Sequence, residues 1–425
     1  MGATWDTIDR YVVISADTHA GAEFHDYKQY LPGRLHDEFD RWAASYVSPF
    51  DDLMIATAKR NWDNEFRMSE VDADGVSAEI IFPNTVPPFF PTVPNITIKL
   101  PRSREEFELR WEGVKAHNRW QVDFCSLEPV RRRGLIQIFP HDIDLALEEI
   151  RWGVEQGCFG GVLIPAVSPG DPVVQPLFHT RYEPLWAACQ DLDISVVQHG
   201  GTGSPEMPMD QPASNPVLIT EMASWTQRTL PHLILAGVFE RYPRLRYVPT
   251  EQGTMFLRMQ LATLDAMVPS MKSSANNRTY GIFGGSSVDE LTLSPSQYVK
   301  RNCYVGASAL SPYENGIIDL VGEDHVMWGS DYPHEEGTAP HSRELIRWAL
   351  QDQPVARCRK LLAGNAARVY GFDLEALTPI AEKVGPLVSE THTTLGDTGY
   401  HAPPAFGARP FEGGLALHRL APARA

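Results

Sequence analysis

The chain has 425 residues, 43% of them hydrophobic and 21% charged, which excludes a fibrous repeat or a disordered acidic tail and leaves room for a large buried core. Asp and Glu number 54 against 37 Lys and Arg, a formal net charge of -17. That balance excludes a chain built to neutralise phosphate backbones, so no nucleic-acid partner is expected.

Five cysteines, Cys125, Cys158, Cys189, Cys303 and Cys358, are scattered without a C-x-x-C pair. Neither a disulfide framework nor a thiolate metal site is expected from such spacing. The first residues lack the basic and apolar regions of a signal peptide, and no apolar run approaches the roughly 18 residues that cross a bilayer. The expectation is a cytoplasmic protein with no membrane partner.

In chain order, short β-branched or apolar runs recur at 11–15, 78–82, 135–139, 161–164, 194–198, 245–249, 303–305 and 325–328. Each ends in polar residues or in Gly or Pro and is followed by a helical stretch, the alternation of parallel βα units. Amphipathic spacing predicts helices over 142–156 and 183–191. Eight such units predict an α/β fold, a closed (β/α)8 barrel. An open doubly wound sheet is the competing reading, weakened because no G-x-G-x-x-G follows a predicted strand.

Three stretches exceed simple connections: proline-rich 83–101, Gly/Pro/Ser-rich 200–217 and polar 269–296. The first two follow predicted strands and so lie at the face where barrels place their chemistry. The barrel with these insertions is expected over 1–373, and 374–425 as a Pro/Gly-rich C-terminal extension that wraps the barrel or a partner subunit, or frays. A homo-oligomer is expected.

Metal-type side chains gather at the strand ends. The first strand runs into Asp17-Thr18-His19, followed by Glu23; the fifth ends at His199; the sixth leads to Glu251; the eighth leads to Asp331, His334, Glu335 and Glu336. An alternating pair such as Asp17 and His19 presents both side chains to one side of an extended chain. Oxygen and imidazole ligands delivered by four strands to one rim are what a hard or borderline divalent metal requires. Taken singly, each could equally be a turn or cap residue. Glu23 competes with an ordinary loop carboxylate, Glu251 with a helix cap, and His334 is divided between metal ligation, proton transfer and packing.

Asp17-x-His19, His199, Gly329-Ser330-Asp331-Tyr332-Pro333-His334 and the closing 362–371 stretch resemble the amidohydrolase-related, metal-dependent family that includes aminocarboxymuconate semialdehyde decarboxylase. The resemblance spans roughly 10 to 373. It implies a (β/α)8 barrel with Asp17, His19, His199 and Asp331 as metal ligands. The chain departs from the pattern at Asp17, where His-x-His is common, at Glu251, where a His is usual, and on the fourth strand, which offers no bridging Lys.

If Glu23 and Glu251 also face the pocket, two negative charges remain uncompensated by one divalent ion, and a second metal balances them. With these carboxylates the chain also resembles the barrel-type non-haem diiron monooxygenases of platensimycin and platencin diterpenoid biosynthesis. That resemblance implies an oxidoreductase with two Fe ions that uses O2 to hydroxylate an unactivated carbon of a small molecule carried as an acyl-CoA thioester, with an electron-donor reductase as a possible partner. Its metal set is Asp17, His19, Glu23, His199, Glu251 and Asp331, with His334 and Glu251 as catalytic groups. The alternative is a redox-neutral hydrolase or decarboxylase with one Zn or Mn. Lys272 and Arg278 are the better-placed contacts for a polyanion, and Arg131-Arg132-Arg133 reads as a solvated turn at the opposite face.

Overall fold

The computed structural model describes residues 4–48, 57–84, 86–92, 99–273 and 286–393. Arg278, the centre of 269–296, parts of 83–101 and the extension beyond 393 lie outside the described residues.

Eight strands, β1 (Ile14–Ala20), β2 (Ala78–Pro83), β3 (Arg132–Gln137), β4 (Phe159–Leu163), β5 (Ser195–His199), β6 (Tyr247–Thr250), β7 (Val305–Ser308) and β8 (Val326–Gly329), form one sheet in sequence order. All neighbours are parallel. Thr18 makes a parallel bridge to Tyr332, and Asp331 N donates to Asp17 O at 2.8 Å, which joins the last strand to the first. The chain therefore forms the expected (β/α)8 barrel.

Two periodicities build it. Along the strands, Ile14, Ile80, Leu135, Val197, Val248 and Met327 pack with one another inside the cylinder. Alternate residues such as Ile136, Val162 and Val196 belong to the outer layer against the helices, as the period of two requires. The helices begin where side chains satisfy their first amides. Ser103 Oγ accepts from Glu106 N at 3.1 Å to open Arg104–Ser126, and Asp142 Oδ1 accepts from Leu145 N at 3.1 Å to open Ile143–Gln156. Such caps are worth about 1 kcal/mol each. Ile143–Gln156 closes on Gly157 at φ 72, in the left-handed region a glycine occupies without strain.

Several strands extend beyond the apolar runs that announce them. The first starts at Ile14 rather than 11 and continues over Asp17 and His19 to Ala20, and the fifth includes His199. Backbone pairing with two neighbours holds these polar residues extended, so the chemistry sits on strand rather than on loop. Between Ser15 and Thr18 the register of β1 against β2 shifts, a bulge of the kind that re-aims side chains at active sites.

Arg131-Arg132-Arg133 is not a solvated turn. Arg132 is fully buried and donates to Glu79 Oε1 at 2.9 Å, while Arg67 holds both oxygens of the same carboxylate, with Nη2 at 2.7 Å from Oε2. Burial opposes ionisation of Glu79, but the two guanidiniums outweigh it and hold the carboxyl at about 2. A triple-arginine run looks solvated only until its buried acid on the neighbouring strand is known.

After Leu374 the described chain packs back on the barrel. Leu377 and Ala381 of Leu374–Val384 are fully buried in the inner cluster, Tyr11 N donates to Pro386 O at 2.9 Å, and Val388 N to Asp9 O at 2.8 Å. Among the described residues no helix is long and apolar enough to cross a membrane.

Candidate metal centre

The barrel brings four strand ends to one point. Asp17 and His19 come from β1, His199 from the last position of β5, Glu251 from the residue after β6, and Asp331 and His334 from the segment after β8. Asp17, His19, His199 and Glu251 each offer one ligand atom within 4.8 Å of the others, and so do His19, Asp331 and His334. His19 Nε2 lies 3.4 Å from Asp17 Oδ1 and 3.2 Å from Asp331 Oδ1; His199 Nε2 lies 3.5 Å from Asp17 Oδ1 and 2.8 Å from Glu251 Oε2.

Three atoms stand out. Asp17 Oδ1, His19 Nε2 and His199 Nε2 are buried and make no well-formed hydrogen bond, lying instead at ion-pair distance from one another and from Asp331 and Glu251. Buried polar atoms in folded proteins are almost always paired, and leaving one unpaired costs about 1–3 kcal/mol. Here three such atoms converge on one another.

Their partners explain the aim. His19 Nδ1 is 3.2 Å from Pro83 O and His199 Nδ1 is 3.1 Å from Gly200 O. A carbonyl only accepts, so each Nδ1 carries the hydrogen, and in the neutral ring each Nε2 turns a lone pair toward the cluster. Metal-ligating imidazoles are oriented by such outer contacts. Ser308 Oγ donates to Asp17 Oδ2, which likewise leaves Oδ1 free. The donor set, two imidazole nitrogens with carboxylate oxygens, suits a borderline or hard divalent cation.

His334 is held differently. Its Nδ1 is 2.9 Å from Asp331 Oδ1 and its Nε2 is 3.2 Å from Asn84 Oδ1, so both nitrogens are engaged. Asn84 Nδ2 donates to Asn61 Oδ1 at 2.7 Å and Asn61 Nδ2 to Ala58 O at 2.9 Å. That chain begins at a carbonyl, which fixes the direction of every amide and requires His334 Nε2 to donate. Burial disfavours charge on His334, but Asp331 outweighs it and raises the group to about 10. His19 and His199 are also raised: burial opposes protonation, Glu251 and Asp17 favour it at His199, and Asp17 and Asp331 at His19. Asp17 moves well below the usual carboxylate range, since its contacts to both histidines overcome the desolvation that would raise it.

Two of the carboxylates are carried on strained backbone. Glu251 has φ 49 and Asp331 φ 58, a region that costs non-glycine residues on the order of 1 kcal/mol or more and persists where surroundings enforce it. The turns after β6 and β8 thereby aim these side chains back over the barrel mouth.

Of the expected site residues, the structure gathers Asp17, His19, His199, Glu251, Asp331 and His334, and leaves Glu23 out. Glu23 Oε2 accepts from His25 N at 2.9 Å and caps the short helix Phe24–Tyr30. It lies three residues past the end of β1 at Ala20, and the local amide claims it. Sequence reasoning missed Ser308, Asn84 and Asn61, ordinary polar residues whose roles exist only through partners distant in sequence. It counted Glu336 among the residues at the strand ends but not in the metal set, although its carboxylate joins those of Glu251 and Asp331 within 4.8 Å. Desolvation and the charge of Asp331 raise Glu336 above its usual range against the opposing pull of His334. Lys272 is absorbed by the fold, its Nζ donating to Leu291 O at 2.5 Å.

Beside the cluster lies a pocket of about 100 Å³ walled by Phe82, Phe90, Phe139, Leu163, Ile164 and Pro165, with His19 and His199 at one side. That is about two-thirds of the roughly 150 Å³ dry cavity that takes benzene, so one small ring is the most it admits. No Lys or Arg lines it among the described residues.

A family model described as Amidohydrolase (Amidohydro_2) matches residues 104–372. The gamma-resorcylate decarboxylase of Rhodococcus jostii is 27% identical over 271 residues, 59% of this chain and 73% of the relative. Among solved structures, the 5-carboxyvanillate decarboxylase of Novosphingobium aromaticivorans, complexed with manganese and 4-hydroxy-3-methoxy-5-nitrobenzoic acid, superposes with a TM-score of 0.63 at 22% identity, over 87% of this chain and 99% of that one. The dihydroxybenzoic acid decarboxylase of a Polaromonas species, with bound manganese and the inhibitor 2-nitroresorcinol, gives 0.56 at 18% identity, over 85% and 97%.

These findings correct part of the expectation. The amidohydrolase resemblance holds; the diiron monooxygenase resemblance does not, because the relatives are decarboxylases rather than oxygenases. Two Fe ions give way to manganese as the metal of the solved neighbours. Oxidoreductase chemistry on a diterpenoid, and with it acyl-CoA, O2 and a reductase as partners, has no counterpart among them. The error lay in the charge count: Glu23 caps a helix instead. Although Glu336 joins the cluster in its place, desolvation favours its neutral form, and the raised His19, His199 and His334 balance carboxylate charge without a second metal.

Proposed function

We propose, from the premise that this chain belongs to the amidohydrolase family, that it is a redox-neutral, metal-dependent decarboxylase of a small aromatic carboxylic acid. One divalent ion, manganese in the first instance, would be held by Asp17, His19, His199 and Asp331, with Glu251 beside them. The observation that carries this reading is the convergence of Asp17 Oδ1, His19 Nε2 and His199 Nε2, buried, with each nitrogen within 3.5 Å of the oxygen and no well-formed hydrogen bond, next to an apolar pocket. Glu23 has no part in it.

Bound there, the cation supplies the positive charge that the pocket walls lack, anchoring the acid's oxygens and stabilising negative charge as it builds up on the substrate. The remaining work falls to side chains. Phe82, Phe139 and Leu163 pack the ring and exclude water. The Nδ1 contact to Gly200 O orients the His199 imidazole, and Glu251 Oε2, 2.8 Å from its Nε2, adds a carboxylate oxygen beside the ligand atoms. The proton shared between His334 Nδ1 and Asp331 Oδ1, 2.9 Å apart, is delivered to the ring carbon that bears the carboxylate. The new C–H bond forms there, the C–C bond to the carboxylate breaks, and its electron pair returns to the ring as CO2 leaves. Carboxylate plus one proton gives arene plus CO2, with no electrons gained or lost.

Elemental analysis of protein purified without added metal, paired with CO2 release from 2,6-dihydroxybenzoate under argon, tests the proposal. About one divalent ion per chain and CO2 in the absence of air are expected. Metal-free protein that releases CO2 at the same rate, or turnover that needs O2, would overturn it.

A further inference from the structure

We infer that Gln137 is a specificity-determining residue, whose side-chain amide hydrogen-bonds a hydroxyl on the ring at a position away from the carboxylate. This rests on the aromatic-acid reading above and adds to it the residue that reads the substituent.

Gln137 is the last residue of β3, two beyond the inward-facing Leu135, so its side chain also faces the barrel interior. It lines the pocket and is 9% exposed. Its Nε2 is buried without a hydrogen-bond partner. The other polar groups of the wall are committed: His19 and His199 belong to the metal cluster, and Thr202 Oγ1 accepts from Ala166 N at 3.0 Å. An idle amide on an otherwise apolar wall is costly unless something in the pocket satisfies it.

The strand end that carries it is fixed. Gln137 N donates to Asn118 Oδ1 at 3.0 Å and Gln137 O accepts from Asn118 Nδ2 at 3.0 Å; the same Nδ2 reaches Glu149 Oε1 at 2.8 Å. The amide is therefore presented from rigid backbone, as selective contacts require.

Its chemistry defines the partner. A primary amide is neutral and both donates and accepts, which a phenolic hydroxyl matches in both directions. A second carboxylate would find no cation there, since no Lys or Arg lines the pocket among the described residues. An alkyl group would leave the amide unpaired. The inferred substrate class is a single-ring aromatic acid whose hydroxyl faces β3 while its carboxylate lies by Asp17, His19 and His199.

The test is calorimetry on the manganese-loaded full chain with benzoate and its ortho-, meta- and para-hydroxy derivatives, for wild type, Gln137→Met and Gln137→Leu. At one ring position the wild type should prefer the hydroxy acid over benzoate by about tenfold or more, and in either variant that ratio should fall to within about twofold of one. A ratio that survives both substitutions, or no positional preference in the wild type, overturns the assignment. If the wild type shows that null pattern yet releases CO2 from ring acids, Gln137 alone has been misassigned. If it binds no ring acid at all, the substrate reading falls and this inference falls with it.

Discussion

Ser308 Oγ donates to Asp17 Oδ2, and that contact leaves Asp17 Oδ1 facing His19 Nε2 and His199 Nε2 with no well-formed hydrogen bond of its own. A serine on β7 thus aims a carboxylate on β1. Ser308→Ala should weaken manganese binding about 10- to 100-fold, the usual effect of removing an outer contact to a ligand. Asp17→Asn should abolish retention, and the metal-free variant should melt lower than metal-free wild type, because the contacts to His19 and His199 that hold the Asp17 carboxyl well below its usual range favour the folded chain. Metal titration and thermal melts decide both; undiminished manganese in Asp17→Asn would remove that residue from the ligand set.

Strain at Glu251 gives a second prediction. At φ 49 a glycine would sit without penalty, so Glu251→Gly should be as stable as wild type or up to about 1 kcal/mol more so. Turnover should nevertheless fall at least tenfold, since the variant lacks the carboxylate 2.8 Å from His199 Nε2. Urea midpoints and CO2 release measure the two effects separately. A variant that loses stability and keeps its rate would mean the backbone, not the carboxylate, is what the fold preserves there.

The Asn61–Asn84 chain predicts a remote effect on the proton at His334. Asn61→Leu removes the acceptor of Asn84 Nδ2 and with it the contact that sets which end of the Asn84 amide faces His334 Nε2. We expect kcat to drop about tenfold, part of the 10²–10⁴ that general acid–base catalysis contributes, with KM and metal content unchanged. A change confined to KM would place the chain in substrate binding instead.

What was legible beforehand follows a physical division. The barrel could be read because each βα unit repeats one pattern of apolar strand and amphipathic helix, and the cluster because Asp17, His199 and Asp331 each come just after an apolar run. Glu23 misled because reach along the chain says nothing about which amide captures a carboxylate first. Ser308, Asn61 and Asn84 left no trace because their roles depend on neighbours far away in sequence. Arg132 was misplaced for the same reason: its burial is decided by Glu79 across the sheet.

That buried pair carries its own prediction. Glu79 is enclosed by Arg67 and Arg132, and Arg67 Nη1 also donates to His19 O at 2.9 Å. Arg67→Met leaves Glu79 half-compensated in the interior and should cost about 3–5 kcal/mol. The double variant Arg67→Met/Glu79→Gln should recover part of that loss, as a double-mutant cycle in urea would show. Additive losses would mean the two groups do not depend on one another.

His117 provides the last prediction, away from the metal cluster. It is fully buried on the helix Arg104–Ser126, its ring 5.6 Å from Tyr27 and 5.5 Å from Trp120, and neither ring nitrogen reaches a partner outside its own residue. Burial lowers it from the usual 6.5 to about 3. Above pH 6.5 neither the folded nor the unfolded chain protonates it, so it leaves stability independent of pH. Below 6.5 the unfolded chain takes up a proton that the folded one refuses, and stability falls by about 1.4 kcal/mol per pH unit until the folded value near 3 is reached. Replacing the ring by His117→Phe keeps the aromatic packing and removes the titration. Between pH 7.5 and 5, urea unfolding of wild type should therefore lose about 2 kcal/mol more than the variant. Parallel curves for the two proteins would show that His117 is protonated in the folded state, and that the interior around Tyr27 and Trp120 admits charge.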